Sequence, residues 1–423
     1  MAQPEKKTVY VTREIERALG ATPDESYLVV TNRSPYGEKI QKEHPESVFL
    51  LDPPAGMAND PRFTGAEPLG TGALIEHLSF KALIDALASK ADAPNILVFK
   101  NTARIEPLIQ AGGWHLLNPK ASLSEEVENK MSQIEWLGDL GVKYLPEHFI
   151  RAAKDIRWEE EPFIVQWGHG HTGDGTMLIS SAKELAALQE KFPRRMARVS
   201  AYVRGPSFTV NAVVASDKVL ISTPSYQITG LPSFTANPFS TIGNDWSATH
   251  TFLSNEEVSE IEAMALAIGT KLNISGWRGL FGLDVMRDDE RGRIVLIEIN
   301  ARQPASTTFE SQLQTINRKA GIKGLTTFEA HIKALRGEHI DEALIPLNDG
   351  SQIVQRVTAV KKDIPAEAIA ALEKKGYTVI SYPNAEENAD LVRIQSSRGI
   401  MEGHGKLNAR GKEISEALGN PIS

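Results

Sequence analysis

Residues 279–302 limit most strongly what this chain can fold into. They read Gly279-Leu-Phe-Gly-Leu-Asp284-Val-Met-Arg-Asp-Asp-Glu-Arg-Gly292-Arg-Ile-Val-Leu-Ile-Glu298-Ile-Asn300-Ala-Arg302. Two apolar, β-prone runs flank a polar turn, the pattern of a hairpin. A three-residue loop, Glu290–Gly292, puts glycine where positive φ is needed. That register predicts Asp289 opposite Arg293 and Asp284 opposite Glu298. Side chains alternate along a strand, so Glu298 and Asn300 share a face. Leu280, Leu283, Val285, Val295, Leu296, Ile297 and Ile299 make both faces of the hairpin look buried. Two opposed carboxylates repel each other unless a hard cation lies between them. Two carboxylates and an amide, all oxygen donors, suit Mg²⁺ or Mn²⁺ bridging to substrate phosphates. The alternative is an exposed hairpin with solvated charges.

The amino-terminal part alternates strands with helices. Apolar runs at Tyr27–Thr31, Ser47–Leu51 and Asn95–Phe99, with a short one at His115–Leu117, predict parallel βαβ units in a sheet covered on both faces. Residues 73–89 predict a helix. Asn32, Arg33 and Ser34 follow the first run and Asn101, Thr102 and Arg104 the third, at carboxyl ends where ligands of open α/β sheets gather. Ordinary solvated loops explain them as well. Capping-box patterns at Ser122/Glu125, Ser181/Glu184, Ser254/Glu257 and Thr326/Glu329 predict helices near 123–138, 182–191, 255–271 and 327–336. Residues 222–251, rich in Ser, Thr, Pro and Asn, read as a long loop. Pro346 and the Asn348-Asp-Gly350 turn predict a boundary before a final α+β part.

Composition removes several function classes. There is no cysteine, so disulfides, thiolate metal sites and cysteine nucleophiles are out. Lys and Arg number 46 against 54 Asp and Glu, a net charge of −8 that argues against nucleic acid as a partner. No run nears the roughly 18 apolar residues of a membrane span. The first residues lack the apolar core of a signal peptide, so the expectation is a cytoplasmic protein.

A second informative stretch is Phe163-Ile-Val-Gln166-Trp-Gly168-His-Gly170-His171-Thr172-Gly173-Asp-Gly175-Thr-Met-Leu-Ile-Ser180. Two strands flank a loop with four glycines, which lets backbone N–H groups approach a phosphate closely. The spacing is neither a Walker motif nor a dinucleotide fingerprint. A flexible hairpin tip is the alternative. A metal site on His169, His171 and Asp174 is disfavoured, because the loop has too much freedom for a rigid cage.

Together these residues resemble the ATP-grasp superfamily, mostly ATP-dependent carboxylate–amine ligases, over roughly Lys130 to Glu329. Asp284, Glu298, Asn300 and Arg302 look like the family's metal-ligand block. The resemblance implies Mg²⁺ on Asp284, Glu298 and Asn300, with Arg302 near the transferred phosphoryl group. Residues 201–210 are similar to the family's hinge, where Tyr202 and Val203 would meet adenine. The loop carrying Gly168, Gly170, His171, Thr172, Gly173 and Gly175 resembles the lid over the phosphates. Lys130, placed in a helix Glu125–Leu137, matches one phosphate-binding lysine. Three nucleotide-facing positions depart from the family pattern. Gln166 stands where the lid strand usually has lysine, Ser200 where a Glu often reads adenine, and Ser207 where a Glu often holds ribose.

The resemblance implies an α/β ATP-grasp fold. A parallel-sheet, pre-ATP-grasp-like domain would span 1–122, an ATP-grasp domain 123–345 with a lid near 150–204, and a small α+β domain 346–423. It implies ATP and Mg²⁺ (or Mn²⁺) as cofactors, and small-molecule carboxylate and amine substrates joined through an acyl phosphate. A homo-oligomer is compatible with the sequence. The alternatives are a nucleotide-binding module without catalysis, or a biotin-carboxylase-like or carboxylate–thiol chemistry.

Overall fold

The apolar runs near the amino terminus become strands of one parallel sheet. The computed structural model describes residues 6–52, 68–88, 93–168 and 175–420. Strands β1 (Thr8–Val11), β2 (Tyr27–Asn32), β3 (Val48–Leu51), β4 (Asn95–Val98) and β5 (His115–Leu116) pair in the order β3-β2-β1-β4-β5. The central strand β1 is four residues long between charged flanks, and the sequence reading passes over it. Apolar layers cover both faces, as the strand composition predicts. Val9, Val30 and Ile96 pack under the helices on one side, and Tyr10, Val29 and Leu97 meet Phe328 and Ile332 on the other. The helix expected over 73–89 is two, Thr71–Glu76 and Leu78–Ala88, because His77 turns extended and its Nδ1 accepts the Ser79 N–H.

A small antiparallel sheet follows: β6 (His148–Ala152), β7 (Phe163–Gln166), β8 (Thr176–Ile179) and β9 (Met196–Ala201), in the order β6-β9-β7-β8. It has its own core of Val165, Trp167, Ile179, Leu185, Leu188 and Val199. This sheet occupies the stretch read as a lid.

Most strands of the remaining described residues build one nine-stranded sheet. Its strands are β10 (Ser207–Val214), β11 (Val219–Ile221), β12 (Ser225–Thr229), β13 (Thr241–Asp245), β14 (Gly279–Asp288), β15 (Arg293–Asn300), β16 (Ser351–Arg356), β17 (Thr378–Ser381) and β18 (Asp390–Ser396). They run β15-β14-β10-β12-β13-β16-β18-β17, with β11 beside β10. Strands β16, β18 and β17 therefore extend the same sheet, through pairing of β13 with β16, while Met401–Gly403 and Lys406–Leu407 pair as a small two-stranded sheet of their own.

The sheet has two unlike faces. One packs Phe208, Val210, Tyr226, Leu283 and Ile299 against Ile261, Met264 and Ile268 of helix Asn255–Ile274. The register gathers Glu298, Asp284, Thr209, Ser225, Gln227, Asn244 and Gln352 on the other. This explains why 222–251 is not the expected loop. Its strands β12 and β13 alternate toward a polar layer, so they lack the apolar run that marks a buried strand. The boxes at Ser254/Glu257 and Thr326/Glu329 both close, and Ser181 accepts the Glu184 N–H. The box at Ser122/Glu125 does not form. That helix starts at Ala121, whose N–H donates to Glu106 Oε1 instead.

Under this sheet, helix Thr307–Lys319 presents Glu310, 1 % exposed. Its carboxyl accepts from Asn211 Nδ2 at 2.7 Å and Thr327 Oγ1 at 2.5 Å. Burial pushes it up from 4.5 to about 7. A carboxyl raised in the folded state binds protons that the unfolded chain has released, so its contribution is full below pH 4.5 and is lost as pH rises to 7. The loss is about 3 kcal/mol. Chemical denaturation across that range should show wild type losing this much more stability than Glu310→Gln. Parallel profiles would mean Glu310 ionises normally.

Candidate active site

The hairpin forms with Asp284 directly opposite Glu298. The turn, however, is one residue longer than the three-residue loop expected. Asp288 pairs with Arg293, and Asp289 turns back to Arg287 at 2.7 Å. A β-bulge opposite the Asp284/Val285 step then absorbs one residue of β15 and restores the register. Gly292, at φ 62°, closes the turn as read. Beyond the bulge Asn300 faces Gly282, two residues along from Asp284 on the same face.

Asp284 is held by neutral donors. Thr209 Oγ1 donates to its Oδ1 at 2.9 Å, Gln227 Nε2 to the same oxygen at 2.6 Å, and Asn300 Nδ2 to Oδ2 at 3.1 Å. Burial, reinforced by the Glu298 charge opposite, pushes its carboxyl up to about 6. Glu298 is held differently. Burial works against its ionisation, but Lys130, then Arg302 and Arg198, outweigh it and keep the carboxyl below its ordinary value. Lys130 Nζ lies 3.1 Å from Glu298 Oε1. Burial lowers Lys130 more than Glu298 raises it.

Lys130 is not inside a helix as expected. Helix Ala121–Glu128 stops, Asn129 goes extended, and a new helix, Ser132–Leu137, begins. The break lets the Lys130 N–H donate to Gly168 O at 3.2 Å, joining this crossing to the end of β7. Gln166, on β7, pairs in register with Arg198 on β9. Its Oε1 accepts from Arg198 Nη2 at 2.6 Å and Nε at 3.1 Å. Arg302 is not free over the site. Its Nη1 contacts Glu128 Oε1, and Lys100 Nζ takes Glu128 Oε2 at 2.5 Å.

The other expected residues scatter more widely. Ser207 lies on the polar face two residues before Thr209, and Ser200 is buried on β9 beside Ile164. Tyr202 and Val203 begin the segment joining β9 to β10. That segment is pinned to the hairpin by Arg287 N–H to Pro206 O and Asp289 N–H to Arg204 O. Gly205 approaches so closely that a Cβ would sit 2.0 Å from Arg287 O. Gly168 and Gly175 flank the loop. Gly170, His171, Thr172 and Gly173, with His169 and Asp174, lie outside the described residues. At the amino-terminal sheet, Asn32 bonds the Arg13 and Leu69 backbone, Ser34 caps a helix, and Asn101 bonds Glu106 and Pro119 O. Arg33 pairs with Asp52 and Arg104 with Glu76. These residues do local structural work.

Sequence reading missed Thr209, Gln227, Arg198, Glu128 and Lys100. A Thr, two neutral or basic strand residues and two charges around a helix carry no motif, so only the register could bring them in. A cavity of about 430 Å³ lined by Lys6, His115, Leu335 and Glu338 shares no residue with this constellation. Among the described residues no group of three His, Cys, Asp or Glu side chains stands ready for a metal ion. The donor set here is two carboxylates and an amide, which suits a hard cation whose remaining ligands are phosphate oxygens and water.

Residues 127–306 match the family model of an ATP-grasp domain. That segment of the chain is similar to an ATP-grasp domain. The whole chain also shares its fold with several solved structures. N5-carboxyaminoimidazole synthase from Aspergillus clavatus, in complex with ADP and its aminoimidazole ribonucleotide, is 14 % identical with a TM-score of 0.63, over 98 % of each chain. N5-carboxyaminoimidazole synthetase from Staphylococcus aureus is 12 % identical with a TM-score of 0.61, over 99 % of this chain and 100 % of that one. L-amino acid ligase from Bacillus licheniformis is 12 % identical with a TM-score of 0.60, over 98 % and 97 %. No curated protein sequence matches. Among the described residues no helix is long and apolar enough to cross a membrane.

Proposed function

We propose that this protein is an ATP-dependent carboxylate–amine ligase. The observation that carries the reading is Asp284 directly opposite Glu298, with Asn300 on the same face and Lys130, Arg198 and Arg302 around them. A half-buried pair of carboxylates ringed by cations fits a site that must balance both a divalent ion and a polyphosphate. Bound on Asp284, Glu298 and Asn300, Mg²⁺ supplies charge neutralisation at the phosphates.

The reaction asks three things of the chain, at Lys130, at Tyr202 and Val203, and at Arg302. Lys130 holds phosphate oxygens. The segment at Tyr202 and Val203 meets the adenine edge. A substrate carboxylate oxygen attacks the γ-phosphorus and ADP leaves, with Arg302 turned toward the acyl phosphate formed. An amine nitrogen then attacks the acyl carbon, phosphate leaves, and the amine gives up a proton. Stabilising charge that develops only during transfer is where Arg302 gains most. L-amino acid ligase among the structural neighbours is consistent with a carboxylate–amine pair.

Calorimetric titration tests the nucleotide part. ATP is expected to bind in Mg²⁺ at least about tenfold more tightly than in chelator. Equal affinity in both would separate the hairpin carboxylates from the nucleotide. ATP bound without any ADP release would favour a nucleotide-binding module, which the departures at Gln166, Ser200 and Ser207 also allow. A thiol or bicarbonate requirement would point to the other two chemistries.

A further inference from the structure

The lid strand carries Gln166 where its relatives' resemblance calls for a lysine, yet a cation is not missing from this place. Gln166 and Arg198 are register partners on adjacent strands. The guanidinium lies over the Gln166 amide through two hydrogen bonds to Oε1, while Gln166 Nε2 donates to Thr176 Oγ1 at 3.2 Å. Arg198 also reaches Gln133 Oε1 at 3.3 Å and Ile297 O at 3.3 Å on the hairpin strand.

Every one of these partners is neutral. Arg198 is 3 % exposed, and among the described residues no carboxylate lies within ion-pair distance of it. Glu298 acts on it only across space, and its nearer charge partner is Lys130. Burial brings the guanidinium down to about 10, which leaves it charged at neutral pH. A buried cation without an ion pair is costly to keep. Gln133 and Gln166 orient the fork without neutralising it, and one Nη1 hydrogen has no protein partner among the described residues. That open N–H can donate a charge-assisted bond to a phosphate oxygen while the other four keep the guanidinium fixed in direction.

We propose that Arg198 is the nucleotide-phosphate cation of this chain, moved one strand across from the usual lysine position, with Gln166 as the residue that aims it. The proposal rests on the reading that ATP binds between the lid sheet and the hairpin. It turns an apparent defect at Gln166 into an exchange of positions.

The test is titration of ATP and of adenosine into wild type and variants, with Mg²⁺ present and thermal melts alongside. Arg198→Gln should weaken ATP about 10- to 100-fold, the range of a lost charge-assisted bond, and change adenosine affinity less than about twofold. Adding Gln166→Lys to Arg198→Gln should recover most of the ATP affinity, because it returns a cation to the lid strand. If Arg198→Gln melts before titration, Arg198→Lys carries the same test, with ATP weakened by less than about tenfold and adenosine unchanged. Wild-type ATP affinity in Arg198→Gln, or equal loss of ATP and adenosine, overturns the proposal and leaves Arg198 a strut between lid and hairpin. Failure of the wild type itself to bind ATP would instead sink the nucleotide reading, and the first titration shows that separately.

Discussion

Glu298→Gln is expected to lower ATP turnover on the order of a thousandfold, through loss of a charged ligand for the cation that balances the phosphates. The same change has a second effect. Lys130 Nζ has Glu298 as its ion-pair partner at 3.1 Å, so a buried ammonium loses its counter-charge. Glu298 is 31 % exposed at its side chain, and solvent screening keeps the cost near about 2 kcal/mol. Adding Lys130→Met should recover stability without recovering turnover. Steady-state kinetics and thermal melts on the single and double variants separate the two effects. Full activity in Glu298→Gln would show that the opposed carboxylates serve structure alone.

Arg302→Ala is expected to lower kcat by about 100- to 1,000-fold while changing ATP affinity less than about threefold. The structure gives the reason for the split. In the free site Arg302 is held by Glu128, which Lys100 holds in turn, so its ground-state partner is the protein. Glu128→Gln loosens that hold and should lower kcat by about tenfold, again with ATP affinity unchanged. Equal losses of kcat and ATP affinity in Arg302→Ala would make it a ground-state phosphate clamp.

The sequence was most readable where one residue's chemistry fixed its neighbours. Asp284, Glu298 and Asn300 could be brought together because strand alternation leaves few registers, although the prediction reached the right pairing by the wrong route. A three-residue turn without a bulge and a four-residue turn with one bulge both place Asp284 opposite Glu298, and local pattern does not tell them apart. The parallel amino-terminal sheet was legible from fully apolar strands, except β1, whose Thr8-Val-Tyr-Val11 is too short to stand out. The strands at 225–229 and 241–245 were illegible for a functional reason. They turn Ser225, Gln227 and Asn244 into the polar layer beside the candidate site, where the usual apolar signal is absent. Arg198 and Glu128 were invisible because their importance lies in cross-strand and long-range pairing that single-sequence periodicity does not carry. The Lys130 break reflects a backbone bond to Gly168, a tertiary contact that overrides helix propensity.

The most direct measurement of the central claim is Mg²⁺-dependent ADP release by the wild-type chain against pools of amino acids and small carboxylates, followed by oxygen-18 labelling of the carboxylate in any active pool. Transfer of one labelled oxygen from the carboxylate into inorganic phosphate, with amide formed in equal amount to ADP, is the predicted result. Release of ADP with no label in the phosphate would contradict an acyl phosphate between Arg302 and the hairpin carboxylates.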